Sequence, residues 1–455
     1  MLGEATDEQP KPIIALVIRG DHQLNEIKAK ALKNAQLTVV TGRRRIGKTQ
    51  LLIEATKNDA TLYFFVARKS EALLCEDFIK EIKNQLNIPV LGKVDSFFEV
   101  FTFLMDVSKT KSFTLIIDEF QDFYKINASI YSDIQKVWDL NNEDSKINLI
   151  VCGSIYSLMS KIFKDAKEPL FGRATNFIKV DPFSTTTLQN ILIDFNKNFT
   201  AEDLLALYTF TGGVAKYVQL FMDNTITNYQ QMIAYMLQED AVFLGEGKNI
   251  LIGEFGKDYA IYFSIIAAIA DGKTKRNDIE QLLQREIGGY LTRLENDYGI
   301  IIKKQPIFIK SRTKQFRYEI VDNFLTFWFR FIFKYQHIIE IGNYKLLKEI
   351  VTRDYTTFSG FQLEKYCKKQ LIETQKYSRI GGFWDAKGEN EIDMIAVDEV
   401  NKKIDFYEIK RQKKNIDLSK LHIKVDYFLK QHSFLNDYEK NLIAFSMEDI
   451  KTLIL

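Results

Sequence analysis

The chain has 455 residues, too many for one ordinary domain at roughly 100–200 residues each, so two to four domains are expected. Hydrophobic residues make up 46% and charged residues 27%, which excludes a disordered chain. Lys and Arg total 62 against 60 Asp and Glu, a net charge of +2, which excludes a uniformly basic nucleic-acid coat but leaves room for a local basic patch.

Cys75, Cys152 and Cys367 are far apart and odd in number. They form no zinc pattern and no disulfide framework, which points to a reducing cytoplasm. The four histidines are unclustered, and the first ten residues lack the basic and apolar regions of a signal peptide. The longest apolar stretches, Tyr259–Ala270 and Phe324–Phe333, fall short of the roughly 18–20 residues of a membrane span. No membrane partner is expected. The 35 Phe and 21 Tyr imply large aromatic cores.

In chain order, Leu37–Thr41 is a short β-branched run that leads directly into Gly42, and Lys48–Lys57 has helical spacing. Thr61–Ala67 is a second strand candidate, followed by helical patterns over Leu73–Leu86 and Phe97–Val107. Phe113–Ile117 is a third strand running into two acids. Ile130–Leu140 is helical, and Ile147–Gly153 and Asn176–Val180 complete five strands. Near-continuous apolar strands separated by helices predict an α/β fold with a parallel sheet covered on both faces. Ligands of such sheets bind beyond the carboxyl ends of the strands.

The strongest motif sits at that place. Gly42-Arg43-Arg44-Arg45-Ile46-Gly47-Lys48-Thr49, with Gln50 next, fits the phosphate-loop pattern G-x-x-x-x-G-K-[ST] at every fixed position. The glycines let backbone N–H groups wrap phosphate oxygens, and Lys48 is placed to reach the β- and γ-phosphates. The Thr49 hydroxyl and Asp118, at the end of the third strand, are the expected Mg²⁺ ligands. Glu119 is the expected general base. No guanine-reading motif is present, so ATP with Mg is the expected cofactor. Ser154, just after the fourth strand, has two readings: a sensor of the γ-phosphate or a helix N-cap.

With Pro169-Leu170-Phe171-Gly172-Arg173 and Thr211-Gly212-Gly213-Val214-Ala215-Lys216-Tyr217, these motifs resemble the archaeal-type ATPases. These are P-loop proteins related to AAA+ and close to the signal-transducing STAND group. The resemblance covers roughly residues 14–240. It implies a nucleotide switch with a helical lid after the sheet, and Arg173 as a finger on the γ-phosphate, in cis or from a neighbouring subunit. The chain departs from the family at Ala215, where proline is usual.

Further on, Tyr259–Ala270, Lys275–Gln284 and Ile287–Asn296 read as three helices, with Ile300–Lys303 and Phe316–Ile320 as a hairpin. That order predicts a winged helix-turn-helix. The hairpin segment holds Lys303, Lys304, Lys310, Arg312, Lys314 and Arg317 with no acid, while Tyr290 and Arg293 lie on the third helix. Two readings stand: contact with DNA phosphates, or docking of a protein.

The last hundred residues carry a third pattern. Phe358–Ile372 reads as a helix bearing Glu364. Glu391–Val397 and Lys403–Lys410 read as strands joined by a turn. A hairpin centred near Val400 sets Asp393 across from Glu408, and strand period puts Glu408 and Lys410 on one face. Two carboxylates and a lysine suit Mg²⁺ and a phosphodiester. This resembles the PD-(D/E)xK nucleases, with Asp393 as first acid, Glu408-Ile409-Lys410 as ExK, Glu364 as the helical glutamate, and Ile392 where proline is common. The resemblance implies Asp393, Glu408 and Glu364 as metal ligands and Lys410 as a catalytic cation. The alternative is a relic that binds without cutting.

The expected architecture is therefore an α/β multidomain chain. A parallel-sheet P-loop ATPase core spans 14–184, a helical lid 185–245 and a winged helix 246–322. A linker helix spans 323–350 and an α/β restriction-nuclease-like domain 351–455. The expected function is ATP hydrolysis coupled to action on double-stranded DNA. The alternative is a STAND-like signalling switch working through a homo-oligomer or a protein partner.

Overall fold

The structure, a computed structural model, describes residues 27, 29–89, 92–154, 156–255, 259–309 and 315–452. They fall into two compact units, one ending at Pro182 and one beginning at Phe183.

In the first unit five parallel strands form one sheet: β1 (Gln36–Thr41), β2 (Thr61–Phe65), β3 (Phe113–Asp118), β4 (Ile147–Gly153) and β5 (Asn176–Lys179). Their order is β2-β3-β4-β1-β5. Every residue of β1, β3 and β4 is buried, as strands with helices on both faces require. The covering helices include Lys48–Thr56, Glu71–Leu86, Phe97–Thr110 and Ile130–Asn141. The core between them is aromatic: Phe64 stacks on Phe78 at 4.1 Å, and Phe97 lies 4.8 Å from Phe123. Each such buried ring contributes roughly 1.5–3 kcal/mol. Because the strands are parallel, the ends of β1, β3 and β4 share one edge.

The second unit opens with the helices Thr185–Phe195, Ala201–Thr211, Ala215–Asp223 and Tyr229–Met236. Thr200 and Asp203 form a reciprocal capping box that starts the second of these. That helix stops at Gly212, and Gly213 follows with φ +81°. A Cβ on Gly213 would stand 2.6 Å from the Phe183 carbonyl oxygen, so glycine is required for steric as well as conformational reasons.

Helices Tyr259–Ala270, Arg276–Leu283 and Gly288–Asn296 then lead into an antiparallel pair, β6 (Ile301–Lys304) and β7 (Arg317–Ile320). The element order is the one expected. Part of the hairpin's positive charge is engaged within the chain. Lys304 pairs with Glu319, Arg317 forks onto Glu391, and the Lys303 ammonium sits 3.6 Å from the Phe316 ring centroid. Lys310, Arg312 and Lys314 lie outside the described residues. After β6 the chain turns onto the last domain: the Ile307 N–H donates to the Gly382 carbonyl at 2.9 Å, and Ile307 and Phe308 pack on that domain's core. Tyr290 meets Tyr262 edge-on within the helical layer.

One 30-residue helix, Tyr344–Glu373, runs straight through residue 350 and carries Glu364. Beyond it lie β8 (Arg379–Trp384), β9 (Glu391–Asp398), β10 (Lys403–Ile409) and β11 (Glu439–Phe445). The sheet order is β11-β10-β9-β8. β8, β9 and β10 are antiparallel neighbours. β11 runs parallel to β10, and helix Leu418–Gln431 makes the crossover. Ile395, Val397, Ile404, Phe406 and Phe428 form the core. Among the described residues no helix is long and apolar enough to cross a membrane.

Gly213→Ala should destabilise the second unit by roughly 2–3 kcal/mol, through positive φ and the clash at Phe183. Denaturant unfolding followed by circular dichroism measures it.

Candidate functional site

The phosphate loop is held by its own backbone. A Cβ on Gly42 would lie 2.7 Å from the Val180 carbonyl oxygen, Gly47 sits at φ +93°, and Arg45 takes φ +68°. Ile46 is buried beneath the loop, Arg43 and Arg44 are half-buried, and Gln50 is exposed. The Lys48 ammonium is buried and donates to the Gly42 carbonyl at 2.9 Å and the Arg43 carbonyl at 3.0 Å. Burial holds its pKa below the usual lysine range, with nearby Cys152, Glu119 and Asp118 working the other way.

Asp118 closes the site from β3. Its Oδ2 accepts from the Thr49 hydroxyl at 2.6 Å and from the Tyr63 hydroxyl at 2.8 Å, while Oδ1 accepts the Glu119 N–H at 2.9 Å. The loop threonine and the strand aspartate are thus brought together. Tyr63 is a member that sequence reading missed. The signal was a tyrosine hydroxyl within the mostly apolar run TLYFFVA, on a strand adjacent to β3 with Tyr63 in register with Ile116. Burial, then Asp118, raise the pKa of this tyrosine.

Glu119 follows at φ +53°, off the end of the strand. Its Oε2 accepts from the Gln121 amide and, at 3.2 Å, from the Ser154 hydroxyl. Ser154 therefore spends its hydroxyl on the expected general base. Arg173 is not brought to the loop in this way: it forks onto Asp139, with contacts of 2.8, 3.0 and 3.3 Å, and donates to the Phe171 carbonyl.

A second cluster forms in the last domain. The antiparallel register pairs Tyr407 with Met394, so the next step brings Glu408 opposite Asp393. The Lys410 ammonium lies between them, 2.9 Å from Asp393 Oδ2 and 3.2 Å from Glu408 Oε1. The Ile409 N–H donates to Asp393 Oδ2 at 2.7 Å, and Lys424, from helix Leu418–Gln431, reaches Glu408 Oε2 at 3.3 Å. Lys424 was also missed, because nothing local to it marks a partner sixteen residues back. With an ammonium between the acids, the described residues hold no group of three or more Asp, Glu, His or Cys arranged around a metal.

Glu364 stands beside this pair. Burial first, and the Asp393 charge second, push its pKa up to about 8, with Lys410 and Lys304 offsetting part of the rise. Burial also raises Asp393, against the Ile409 N–H and Lys410. For Lys410, burial works against the charge, but Asp393 and Glu408 outweigh it and hold the pKa above the usual range.

Glu364 makes stability depend on pH. Its pKa is raised in the folded state, so its contribution is full below about 4.5 and is lost as pH rises through about 8. In EDTA, Glu364→Gln should melt several degrees above the parent chain at pH 8.5 and close to it at pH 5. Differential scanning fluorimetry across that range checks this.

Comparison with known proteins bears on the first of these sites. Residues 21–221 match an ATPase domain found predominantly in Archaea, and residues 328–421 match a family of archaeal and bacterial proteins of unknown function. The chain is 28% identical over 424 residues to an uncharacterised protein of Methanocaldococcus jannaschii, covering 90% of each. A second protein of that organism is 38% identical over 56 residues, which span 12% of this chain and 54% of that protein. Among solved structures, a Walker-type ATPase of Pyrococcus abyssi superposes with a TM-score of 0.52 at 18% identity, covering 68% of this chain and 95% of that one. That likeness supports the fold alone. Over residues 21–221 the chain is similar to the ATPase domains found predominantly in Archaea.

Proposed function

We propose that the chain is a magnesium-dependent ATPase that acts on double-stranded DNA through a phosphodiester-cleaving C-terminal domain. What supports the DNA part most directly is the meeting of Asp393, Glu408 and Lys410, with Glu364 alongside, in the same chain as a Walker-type phosphate loop.

The residues of the first site fit Mg·ATP. Lys48 is held at the loop by two of its carbonyls, and Thr49 and Asp118 share a hydrogen bond, which sets an ammonium, a hydroxyl and a carboxylate at one place. In this reading Gly42 to Gln50 cradle the phosphates, Thr49 and Asp118 hold the metal, and Glu119 takes a proton from water. Bound ATP supplies the phosphoanhydride bond to be hydrolysed. Ser154 and Gln121 orient Glu119. A finger role for Arg173 requires it to leave Asp139.

The second site offers carboxylates that would hold a divalent cation once Lys410 no longer stands between two of them. Glu364 is a half-buried carboxyl whose ionisation burial opposes, beside an acid pair that Lys410 and Lys424 neutralise. Asp393, Glu408 and Glu364 are the oxygen donors, and Lys410 meets the charge that builds on the phosphodiester.

A second reading is favoured by the hairpin, whose Lys304 and Arg317 are engaged within the chain. There the ATPase is a switch, and the last domain docks a protein partner or a second copy.

Phosphate release from Mg·ATP, with and without duplex DNA, tests the first reading. Lys48→Ala should abolish it, and Glu119→Gln should lower the rate by about 10²–10⁴ while nucleotide still binds. Stimulation by DNA is expected; slow hydrolysis indifferent to DNA would favour the switch. Metal-dependent cutting should vanish in Glu408→Ala, and cutting that survives would remove Glu408 from the site.

A further inference from the structure

The long helix carries a second set of charges that the carboxylate site leaves unused. Glu364, Lys365 and Lys368 fall within little more than one turn. Lys365 donates to the Ile320 carbonyl at 2.9 Å and stands 3.4 Å from Glu319 Oε1. Lys304, from β6, closes on the other oxygen of Glu319. One half-buried carboxylate therefore serves two ammoniums at once.

Lys368 is left over. It is half-buried, and among the described residues it has neither a hydrogen-bond nor an ion-pair partner. The charges that act on it are the Lys304 ammonium, which repels it, and the already shared Glu319. Lys304, Lys365 and Lys368 against Glu319 leave a local excess of two positive charges. A half-buried ammonium in that setting costs stability unless an anion meets it. Lys365 and Lys368 stand one and four residues after Glu364 on the same helix, which sets the excess next to it. A strand with one phosphate at Lys410 carries further phosphates along the same backbone.

We infer that Lys368, with Lys304, forms a phosphate-binding step beside the carboxylate site and takes a backbone phosphate of a nucleic-acid strand. The choice of ligand rests on the reading of the last domain as acting on DNA. The place of the step rests on Lys304, Lys365 and Glu319 alone. Lys368 is a substrate-binding residue in this scheme, separate from the group at Lys410.

The test uses the full chain in EDTA, where metal-dependent cutting is silent, and a fluorescent 20-base-pair duplex read by anisotropy at several salt concentrations. Lys368→Met should weaken binding by about tenfold at moderate salt and make the slope of log Kd against log salt shallower by about one. Lys368→Arg should restore both. The melting temperature of Lys368→Met should equal or exceed that of the parent, since an unpaired charge is gone. Unchanged affinity and slope in Lys368→Met overturn the inference. So does weaker binding that comes with a lower melting temperature and is not rescued by arginine. Inorganic phosphate supplies the other arm: if it raises the melting temperature of the parent and not of Lys368→Met, while both bind duplex equally, the step serves a free phosphate and the nucleic-acid assignment falls. Cutting by the parent chain in Mg²⁺ separates the two readings. A parent that never cuts, yet binds duplex through Lys368, sinks the cleavage reading and sustains this one. A parent that cuts, with Lys368→Met matching it in affinity and slope, does the reverse.

Discussion

A charge taken out of water must be met by a partner, and both sites of this chain are organised by that requirement. Lys48 is buried and satisfies itself on two carbonyls of its own loop. Asp118 is buried and receives three donors from three different elements. Asp393 and Glu408 share one lysine, and Glu408 has a second. The exceptions are the informative places: Glu364 and Lys368, which among the described residues have neither a hydrogen-bond nor an ion-pair partner. In proteins such groups are rarely left unbalanced without a ligand to balance them.

The parallel sheet decides which partners can meet in the first unit. With β4 between β1 and β3, the phosphate loop, the Asp118 carboxylate and Ser154 all emerge on one edge. Much of this was legible in the sequence. An eight-residue motif between a strand and a helix, and an apolar strand ending in two acids, are local signals. They needed no knowledge of the rest of the chain. Tyr63 and the Ser154–Glu119 bond were not legible, since each depends on which strands become neighbours. Arg173 shows the same limit from the other side. Its segment suggested a finger, while its guanidinium is engaged by Asp139, thirty-four residues earlier in the chain.

In the second unit the sequence was read best where pairing is short-range. The hairpin of β9 and β10 is joined by a tight turn, so strand period alone put Asp393 opposite Glu408. β8, with two consecutive glycines and an irregular register near Gly381, carries a weak strand signal. β11 pairs across a helical crossover, beyond the reach of pattern. Arg317 looked available for DNA because its acid is distant in sequence: Glu391 is 74 residues away. The start of the long helix was hidden for a different reason. Its polar residues are spread around it, so helical period is faint.

That helix has a mechanical meaning. Its Lys369 holds the carbonyl of Phe183, the first residue after the ATPase unit, and its Glu373 accepts from the N–H and hydroxyl of Thr185. Glu364 lies five residues before Lys369, about 7.5 Å along the same axis. Ser359, further along, takes a bond from Arg411, the residue after Lys410. The point where the chain leaves one unit and the carboxyl beside Asp393 are therefore fixed to one rod, with no loop between them to absorb slack. A displacement of residue 183 would arrive at Glu364 as a movement of the whole rod, not as the reordering of a flexible segment.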